Sequence, residues 1–121
     1  FPGVESALHV FSMTENSRNS LKIEEVSSLK DALKKALNLP SVDIIRSGGD
    51  DMIASAREQW NDSTNTLAIA PGMVVTYRRN VVSNETLARH DIQVFPIRGS
   101  ELVRGRGGPR CMSMPLLREP L

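Results

Sequence analysis

The residues best suited to chemistry lie in one glycine-rich loop near the end of the sequence. The single cysteine, Cys111, follows three arginines there, Arg104, Arg106 and Arg110. Positive charge favours a thiolate over a thiol, and the thiolate is the form of cysteine that attacks electrophiles. Gly105 and the other glycines of the loop let backbone and substrate approach closely, because glycine has no side chain. The pattern predicts a nucleophilic cysteine.

Three other interpretations of this loop stay open on the residues alone. A lone cysteine in a domain of this size is often a small buried apolar residue. Arginine and glycine also alternate in flexible nucleic-acid-binding tails, although here a compact apolar segment, 112–117, follows at once. A phosphate cradle is the weakest alternative, because Gly108 is followed by Pro109 and Arg110 and not by the Lys-Ser/Thr pair of a P-loop.

Other polar residues favour structural roles over a metal or a second catalytic site. His9 falls on a predicted strand and His90 near a predicted helix end, so each is interpreted as a structural or surface residue. Asp50 and Asp51 are adjacent carboxylates without further ligands, which is more typical of a helix cap than of a metal site. Trp60 is interpreted as a packing residue, with contact to a ligand as the alternative. We expect no metal.

The elements that must position the loop are predicted from periodicity and turn residues. Apolar residues recur at helical spacing over 29–37, where Ser28 and Asp31 form a capping pair and Pro40 prevents continuation. Polar residues 15–19 are typical of a hairpin connection, and proline with glycine favours a turn at 70–72. Predicted strands cover 7–13, 21–26, 42–46 (buried), 66–69, 73–77 and 93–97; predicted helices cover 29–37, 51–59 and 85–90, the last capped by Ser83 or Asn84. The order strand, strand, helix, strand occurs twice, which indicates a mixed α/β fold.

Length and composition set the broad class. With 121 residues, 40% of them apolar, the chain is long enough for one domain with a modest core. Fifteen Lys and Arg against 14 Asp and Glu give a net charge of +1, so there is no general attraction to nucleic acid or to an anionic membrane. One cysteine cannot form an internal disulfide, and no apolar run approaches the roughly 20 residues that a membrane-spanning helix needs. We expect a reducing, cytoplasmic location.

Three stretches resemble a known family in order and spacing. They read AREQWND at 56–62, NTLAIAPG at 65–72 and SELVRGRGGPRCMSMP at 100–115. The last is similar to the cysteine loop that ends bacterial arginine deiminases, and the resemblance extends over essentially the whole chain. Since these enzymes are much longer, the chain resembles their C-terminal part.

The resemblance implies a fold and a division of the chain. Arginine deiminases belong to a guanidine-modifying superfamily with the pentein fold, a five-bladed α/β propeller of ββαβ units around a central active site. About two such blades are expected here, as a partial domain. Residues 1–50 would form one ββαβ unit, and residues 51–121 the second unit plus the catalytic cysteine loop. Strand edges that neighbouring blades cover would then be exposed, and self-association or poor solubility would be unsurprising.

The resemblance also implies roles for the loop residues. Cys111 would attack the guanidinium carbon of L-arginine, with loss of ammonia, and the covalent amidino-cysteine would be hydrolysed to L-citrulline. Arg106 matches the position that holds the substrate α-carboxylate, and Gly105 matches a backbone contact to the substrate. Arg104 and Arg110 would order the loop or tune the thiol, or would have a purely surface role. No metal or organic cofactor is implied.

The chain also departs from the family pattern. The catalytic His-x-Asp motif has no counterpart, because His9 is followed by Val10 and Phe11 and His90 by Asp91 and Ile92. The substrate-clamping carboxylates would lie in the N-terminal remainder of the enzyme, which is the expected partner. Asp50 stands where family members often have another glycine. A catalytically incompetent structural fragment, and a related guanidine-modifying enzyme, are therefore kept as alternatives.

Overall fold

The computed structural model describes residues 7–17 and 20–119. The chain divides into two compact units, and the boundary falls between Ile44 and Ile45. The mixed α/β class is confirmed. The elements in the described residues are β1 (Val10–Ser17), β2 (Ser20–Val26), α1 (Leu29–Leu37), α2 (Met52–Trp60), β3 (Leu67–Ala70), β4 (Met73–Tyr77), α3 (Val81–Arg89) and β5 (Gln93–Ile97), followed by a short 3₁₀ helix at Leu102–Gly105.

The first unit contains an antiparallel hairpin and helix α1. β1 pairs with β2 so that Val10 lies opposite Val26, and both strands contact α1. β1 starts and ends later than predicted, because residues 15–17 of the predicted hairpin connection belong to the strand. Two residues of that predicted connection, Arg18 and Asn19, lie outside the described residues.

Helix α1 has the bounds that the sequence predicts, and its capping pair is confirmed. The Ser28 hydroxyl oxygen accepts a hydrogen bond from the backbone N–H of Asp31 at 3.1 Å, which satisfies one of the free donors of the first turn. At the other end Asn38 adopts a left-handed conformation with φ of 53°, as helix C-terminal residues often do. The following proline, Pro40, prevents further helix.

The buried strand predicted at 42–46 is wrong. This segment has no regular secondary structure, and its residues are exposed or half-buried. Val, Ile and Ile in an apolar run favour a strand, but a strand also needs a hydrogen-bonded neighbour. In the described part of the chain no strand pairs with this segment, since one sheet is β1–β2 and the other is β3–β4–β5.

The second unit is built on a three-stranded mixed sheet in the order β3–β4–β5. β3 and β4 are antiparallel, with Leu67 opposite Val75. β4 and β5 are parallel, with Tyr77 opposite Ile97, and helix α3 makes the crossover between them and contacts β5. β4 and β5 have the bounds that the sequence predicts. This unit confirms the order strand, strand, helix, strand.

Helix α3 begins earlier than predicted, and its cap comes from another helix. Asn80 occupies the N-cap position without a side-chain capping bond, so the predicted caps Ser83 and Asn84 are wrong. The carboxyl group of Glu58, on α2, accepts hydrogen bonds from the backbone N–H groups of Val82 at 3.0 Å and Ser83 at 2.8 Å. These are free donors of the first turn.

The buried centre of the second unit is largely polar. In the part of the chain that the structure describes, the buried apolar residues are Ala54 and Tyr77, whereas the buried polar residues are Ser55, Glu58, Ser63, Thr76, Asn80 and Ser83. Many large apolar side chains are exposed instead, among them Met52, Ile53 and Leu117. Across residues 7–17 and 20–119, no helix has both the length and the apolar character that crossing a bilayer requires.

Candidate active site

The cysteine loop, residues 104–115, lies along the edge of the three-stranded sheet that the carboxyl ends of β4 and β5 form. The parallel strands β4 and β5 both end at this edge, at Tyr77 and Ile97. β3 runs the other way and begins there, and continuing its register beyond Leu67 places Asn65 level with Tyr77. Ligands of open α/β sheets bind outside the carboxyl ends of parallel strands. The topology therefore places the loop where such a fold binds its ligands.

The buried side chain of Tyr77 holds the cysteine loop by a hydrogen bond. Its side chain is 1% exposed, and its hydroxyl donates a hydrogen bond to the backbone carbonyl of Gly107 at 3.0 Å. Burial raises the pKa of the Tyr77 phenol above its ordinary value, and the nearby carboxylate of Asp62 raises it further. The phenol consequently keeps its proton at neutral pH and remains a donor to the loop.

Asn65 holds the loop at the cysteine itself. Its side-chain Nδ2 donates to the sulfur of Cys111 at 2.7 Å, and its Oδ1 accepts from the backbone N–H of the same cysteine at 3.3 Å. The backbone carbonyl of Asn65 accepts from the N–H of Arg110 at 3.4 Å. A Cβ on Gly108 would lie 2.5 Å from the Cβ of Asn65, so this close approach requires glycine.

Arg106 stacks on Trp60. Its guanidinium carbon lies 4.2 Å from the centroid of the indole ring, within the range of a cation–π interaction. Trp60 is 70% exposed, so its predicted packing role is wrong for the described chain. The ring instead provides a flat surface for Arg106.

The other two arginines each contact a residue three positions away in the sequence. Arg104 Nε lies 3.3 Å from a carboxylate oxygen of Glu101. Arg110 Nη1 donates to the backbone carbonyl of Ser113 at 3.2 Å, and the Ser113 hydroxyl donates back to the carbonyl of Arg110 at 2.9 Å. At Gly105 an added Cβ would meet no atom within 4 Å. The loop is thus a folded segment with internal hydrogen bonds, unlike a flexible Arg-Gly tail.

Cys111 is an exposed free thiol, so it is not the buried apolar residue that was one alternative. It lies on one continuous segment with Arg104 and Gly105, at the end of the 3₁₀ helix, and with Arg106 and Arg110. Asn65 and Tyr77 hold this segment against the sheet edge.

The histidines and aspartates lie on surfaces or in caps. His9 Nδ1 lies 3.0 Å from a carboxylate oxygen of Glu25, and His90 Nδ1 donates to the carbonyl of Thr86 at 2.8 Å; both histidines are exposed, as predicted. The Asp51 side chain accepts from the N–H of Ala54 at 2.7 Å and caps α2, which confirms the helix-cap interpretation. Within residues 7–17 and 20–119, no group of three or more His, Cys, Asp or Glu could hold a metal ion.

Sequence reasoning missed Asn65 and Tyr77. Asn65 lies in a segment that carries the family resemblance, and Tyr77 lies in a predicted strand. The available signal was topological, since Asn65 precedes β3 and Tyr77 ends β4, and these two positions meet at one sheet edge. Their contacts with the loop span 46 and 30 positions of sequence, which local patterns do not reveal.

Comparison with known proteins agrees with the motifs. A family model described as arginine deiminase matches residues 2–118. The chain is 56% identical over 114 residues to an arginine deiminase of Oenococcus oeni, covering 94% of this chain and 28% of that protein. It is 52% identical over 118 residues to an arginine deiminase of Streptococcus pneumoniae strain Hungary19A-6, covering 98% of this chain and 29% of that protein. It therefore spans less than a third of the length of these curated relatives, and it belongs to the arginine deiminase family.

Proposed function

We propose that the protein containing this chain is an arginine deiminase, a hydrolase that acts on a carbon–nitrogen bond of a linear amidine and converts L-arginine to L-citrulline and ammonia. The observation that carries this proposal is the exposed thiol of Cys111 on a hydrogen-bonded, arginine-flanked loop, in a chain with the family relationship above. A role in arginine catabolism is proposed with it, because the family relationship implies that role.

The proposed chemistry assigns the first step to Cys111. Its thiolate attacks the guanidinium carbon of L-arginine, forming a carbon–sulfur bond, and the carbon–nitrogen bond to one terminal nitrogen breaks. That nitrogen leaves as ammonia after it gains a proton. Water then attacks the amidino carbon and loses a proton, the carbon–sulfur bond breaks, and citrulline and the thiolate are released. No redox step and no cofactor is needed.

Substrate placement is assigned to the neighbouring residues. A guanidinium offers two parallel N–H donors that match a carboxylate, so Arg106 is proposed to bind the α-carboxylate of L-arginine. Open space above Gly105 supports its proposed backbone contact with the substrate. Arg104 and Arg110 are proposed to order the loop or tune the thiol, which their contacts at both ends of the loop support.

The remaining groups are proposed to come from the rest of the protein. Protonating ammonia and activating water require a positioned acid and base, and a carboxylate pair is needed to fix the guanidinium plane. The chain is less than a third of its relatives' length and lacks the His-x-Asp motif. By itself, the 121-residue chain is therefore proposed to be a catalytically incompetent structural module.

The pentein architecture is part of this proposal. The β3, β4, α3, β5 unit, with its antiparallel pair and parallel crossover, supports one ββαβ blade within residues 51–121. Residues 1–50 are proposed to belong to a second blade, which the β1–β2 hairpin and helix α1 support. An N-terminal remainder, with further blades, is the proposed partner.

The setting of the enzyme follows from its nucleophile. A free thiol such as Cys111 must stay reduced to act, so a cytoplasmic location is proposed. L-arginine is the small-molecule partner, and neither nucleic acid nor a membrane is required. A homo-oligomer is kept as a further proposal, supported by the exposed apolar side chains of the chain.

Replacing the nucleophile in the complete enzyme tests the function. We expect Cys111→Ala to abolish citrulline formation, because the substitution removes the thiol that is proposed to form the covalent intermediate. Binding of L-arginine, measured by calorimetry, and an unchanged thermal midpoint would show that the variant is folded. Citrulline production at the wild-type rate by this variant would refute the assignment of Cys111.

A further inference from the structure

We propose that Asn65 is a positioning residue for the reaction, because its carboxamide fixes both the sulfur and the backbone of Cys111. This inference rests on the proposed function, since it gives Asn65 a task only if Cys111 is the nucleophile. Asn65 lies outside the cysteine loop, 46 positions earlier in the sequence.

Two hydrogen bonds from one planar amide reach the same cysteine. Oδ1 accepts from the backbone N–H of Cys111 at 3.3 Å, and Nδ2 donates to its sulfur at 2.7 Å. A backbone N–H can only donate, so the oxygen of the amide must face it, and the NH₂ group must then face the sulfur. The orientation of the amide is therefore fixed by chemistry and not by a choice between two equivalent flips.

Asn65 is itself held by contacts both before strand β3 and in the cysteine loop. The backbone N–H of Asn65 donates to the carbonyl of Asp62 at 3.0 Å, while its own carbonyl accepts from Arg110. Two residues later the chain enters β3, which pairs with β4. Gly108 packs directly on Asn65, where any side chain would collide with it. Asn65 thus connects the start of β3 to the cysteine.

The two hydrogen bonds from Asn65 to Cys111 form a clamp. The sulfur needs this clamp because the thiol is exposed. An exposed side chain populates several staggered rotamers, and attack requires the sulfur to lie in line with a bound substrate carbon. The three loop arginines bind other groups: Glu101, the indole of Trp60 and the carbonyl of Ser113. Among residues 7–17 and 20–119, the hydrogen-bond donor to the sulfur is Asn65.

The donor also suits the reaction because it is neutral. A hydrogen bond to an anionic acceptor is stronger than one to a neutral acceptor. The Asn65 amide therefore binds the thiolate more tightly than the thioether sulfur of the covalent intermediate. It can hold the sulfur before attack and again when the carbon–sulfur bond breaks, without a proton transfer of its own.

An isosteric substitution at Asn65, with the same substitution at a control position, tests this in the complete enzyme. Asn65→Asp keeps an oxygen to accept from the N–H of Cys111, but it removes the donor to the sulfur and places a negative charge there. We expect kcat to fall about 10- to 100-fold, the effect of losing one charge-assisted hydrogen bond, while KM for L-arginine changes less than about threefold. Asn16→Asp, the same change on exposed strand β1, is the control and should keep the wild-type kcat.

A second measurement does not depend on turnover. The rate at which iodoacetamide alkylates Cys111, followed by mass spectrometry without substrate, should fall in Asn65→Asp and stay at the wild-type value in Asn16→Asp. If wild-type enzyme makes no citrulline but alkylation still depends on Asn65, the proposed function fails and the clamp stands. Wild-type kcat and wild-type alkylation in Asn65→Asp would overturn the clamp, and so would a loss matched entirely by a lower folded fraction.

Discussion

At the scale of single residues, the stacking of Arg106 on Trp60 determines which of its atoms can bind a substrate. The guanidinium carbon lies 4.2 Å from the indole centroid, so one face of the group is covered. The N–H donors of a guanidinium point outward in its own plane, and stacking leaves that edge available for a carboxylate. The φ of Arg106 is 60°, a left-handed conformation that is uncommon for residues other than glycine.

Arg106→Lys in the complete enzyme should raise KM for L-arginine. Lysine keeps the positive charge but loses the two parallel donors and the stacking surface, and a hydrogen bond to a charged group is worth about 1.5–3 kcal/mol. We expect an increase of about 10- to 100-fold in KM, with a smaller change in kcat. Arg89→Lys, at an exposed ion pair with Glu85 on α3, is the matched control. An unchanged KM in Arg106→Lys would remove Arg106 from substrate binding.

The composition of the loop predicts a nucleophilic cysteine but leaves a buried apolar cysteine open, and the structure shows that the thiol is exposed. That composition was also not enough to predict Asn65 or Tyr77, because each contacts the loop across a long stretch of sequence. Trp60 was misassigned for a related reason: a large aromatic side chain usually packs, and only the position of Arg106 shows what this one faces.

At the scale of elements, the site depends on a sheet edge whose crossover helix is capped from a distance. Glu58 is fully buried, and its two carboxyl oxygens accept from Val82 and Ser83 at the start of α3. Arg57 lies 3.6 Å from one of these oxygens. α3 connects β4 to β5, the two strands that end beneath the cysteine loop, so the cap helps to fix the site.

Glu58→Gln should destabilise the enzyme. The substitution keeps the shape of the side chain but turns one acceptor into an NH₂ group that faces a backbone N–H. A buried donor left without a partner costs about 1–3 kcal/mol, so the thermal midpoint should fall by several degrees. Glu85→Gln, on the exposed face of the same helix, should leave the midpoint unchanged. Equal midpoints for the two variants would contradict the capping role.

Elements that depend on local signals were predicted with the right bounds. α1 has its own capping pair, and β4 and β5 alternate or cluster apolar residues between clear turns. The failures occurred where a distant partner decides the structure. The start of α3 depends on Glu58 from another helix, and the apolar segment at 42–46 has no strand beside it in the described chain.

At the scale of the whole molecule, the chain leaves apolar surface that a complete enzyme is expected to cover. A groove of about 890 Å³ lies between edge strand β3 and residues 113–119, lined by Ile69, Val74, Pro115 and Leu117 among others. Ile69 and Leu117 are also among the exposed large apolar residues. Because the chain spans less than a third of its relatives, we propose that the N-terminal remainder covers this surface and completes the site.

Trapping the covalent intermediate tests the central claim most directly. Complete enzyme mixed with L-arginine and quenched in acid should carry, on the peptide that contains Cys111, an added mass equal to arginine minus ammonia. The isolated 121-residue chain, which lacks the groups proposed to fix the guanidinium and protonate the leaving nitrogen, should carry none. Turnover by the complete enzyme with the adduct on a different residue, or with no adduct on Cys111 under conditions that slow hydrolysis, would contradict this account.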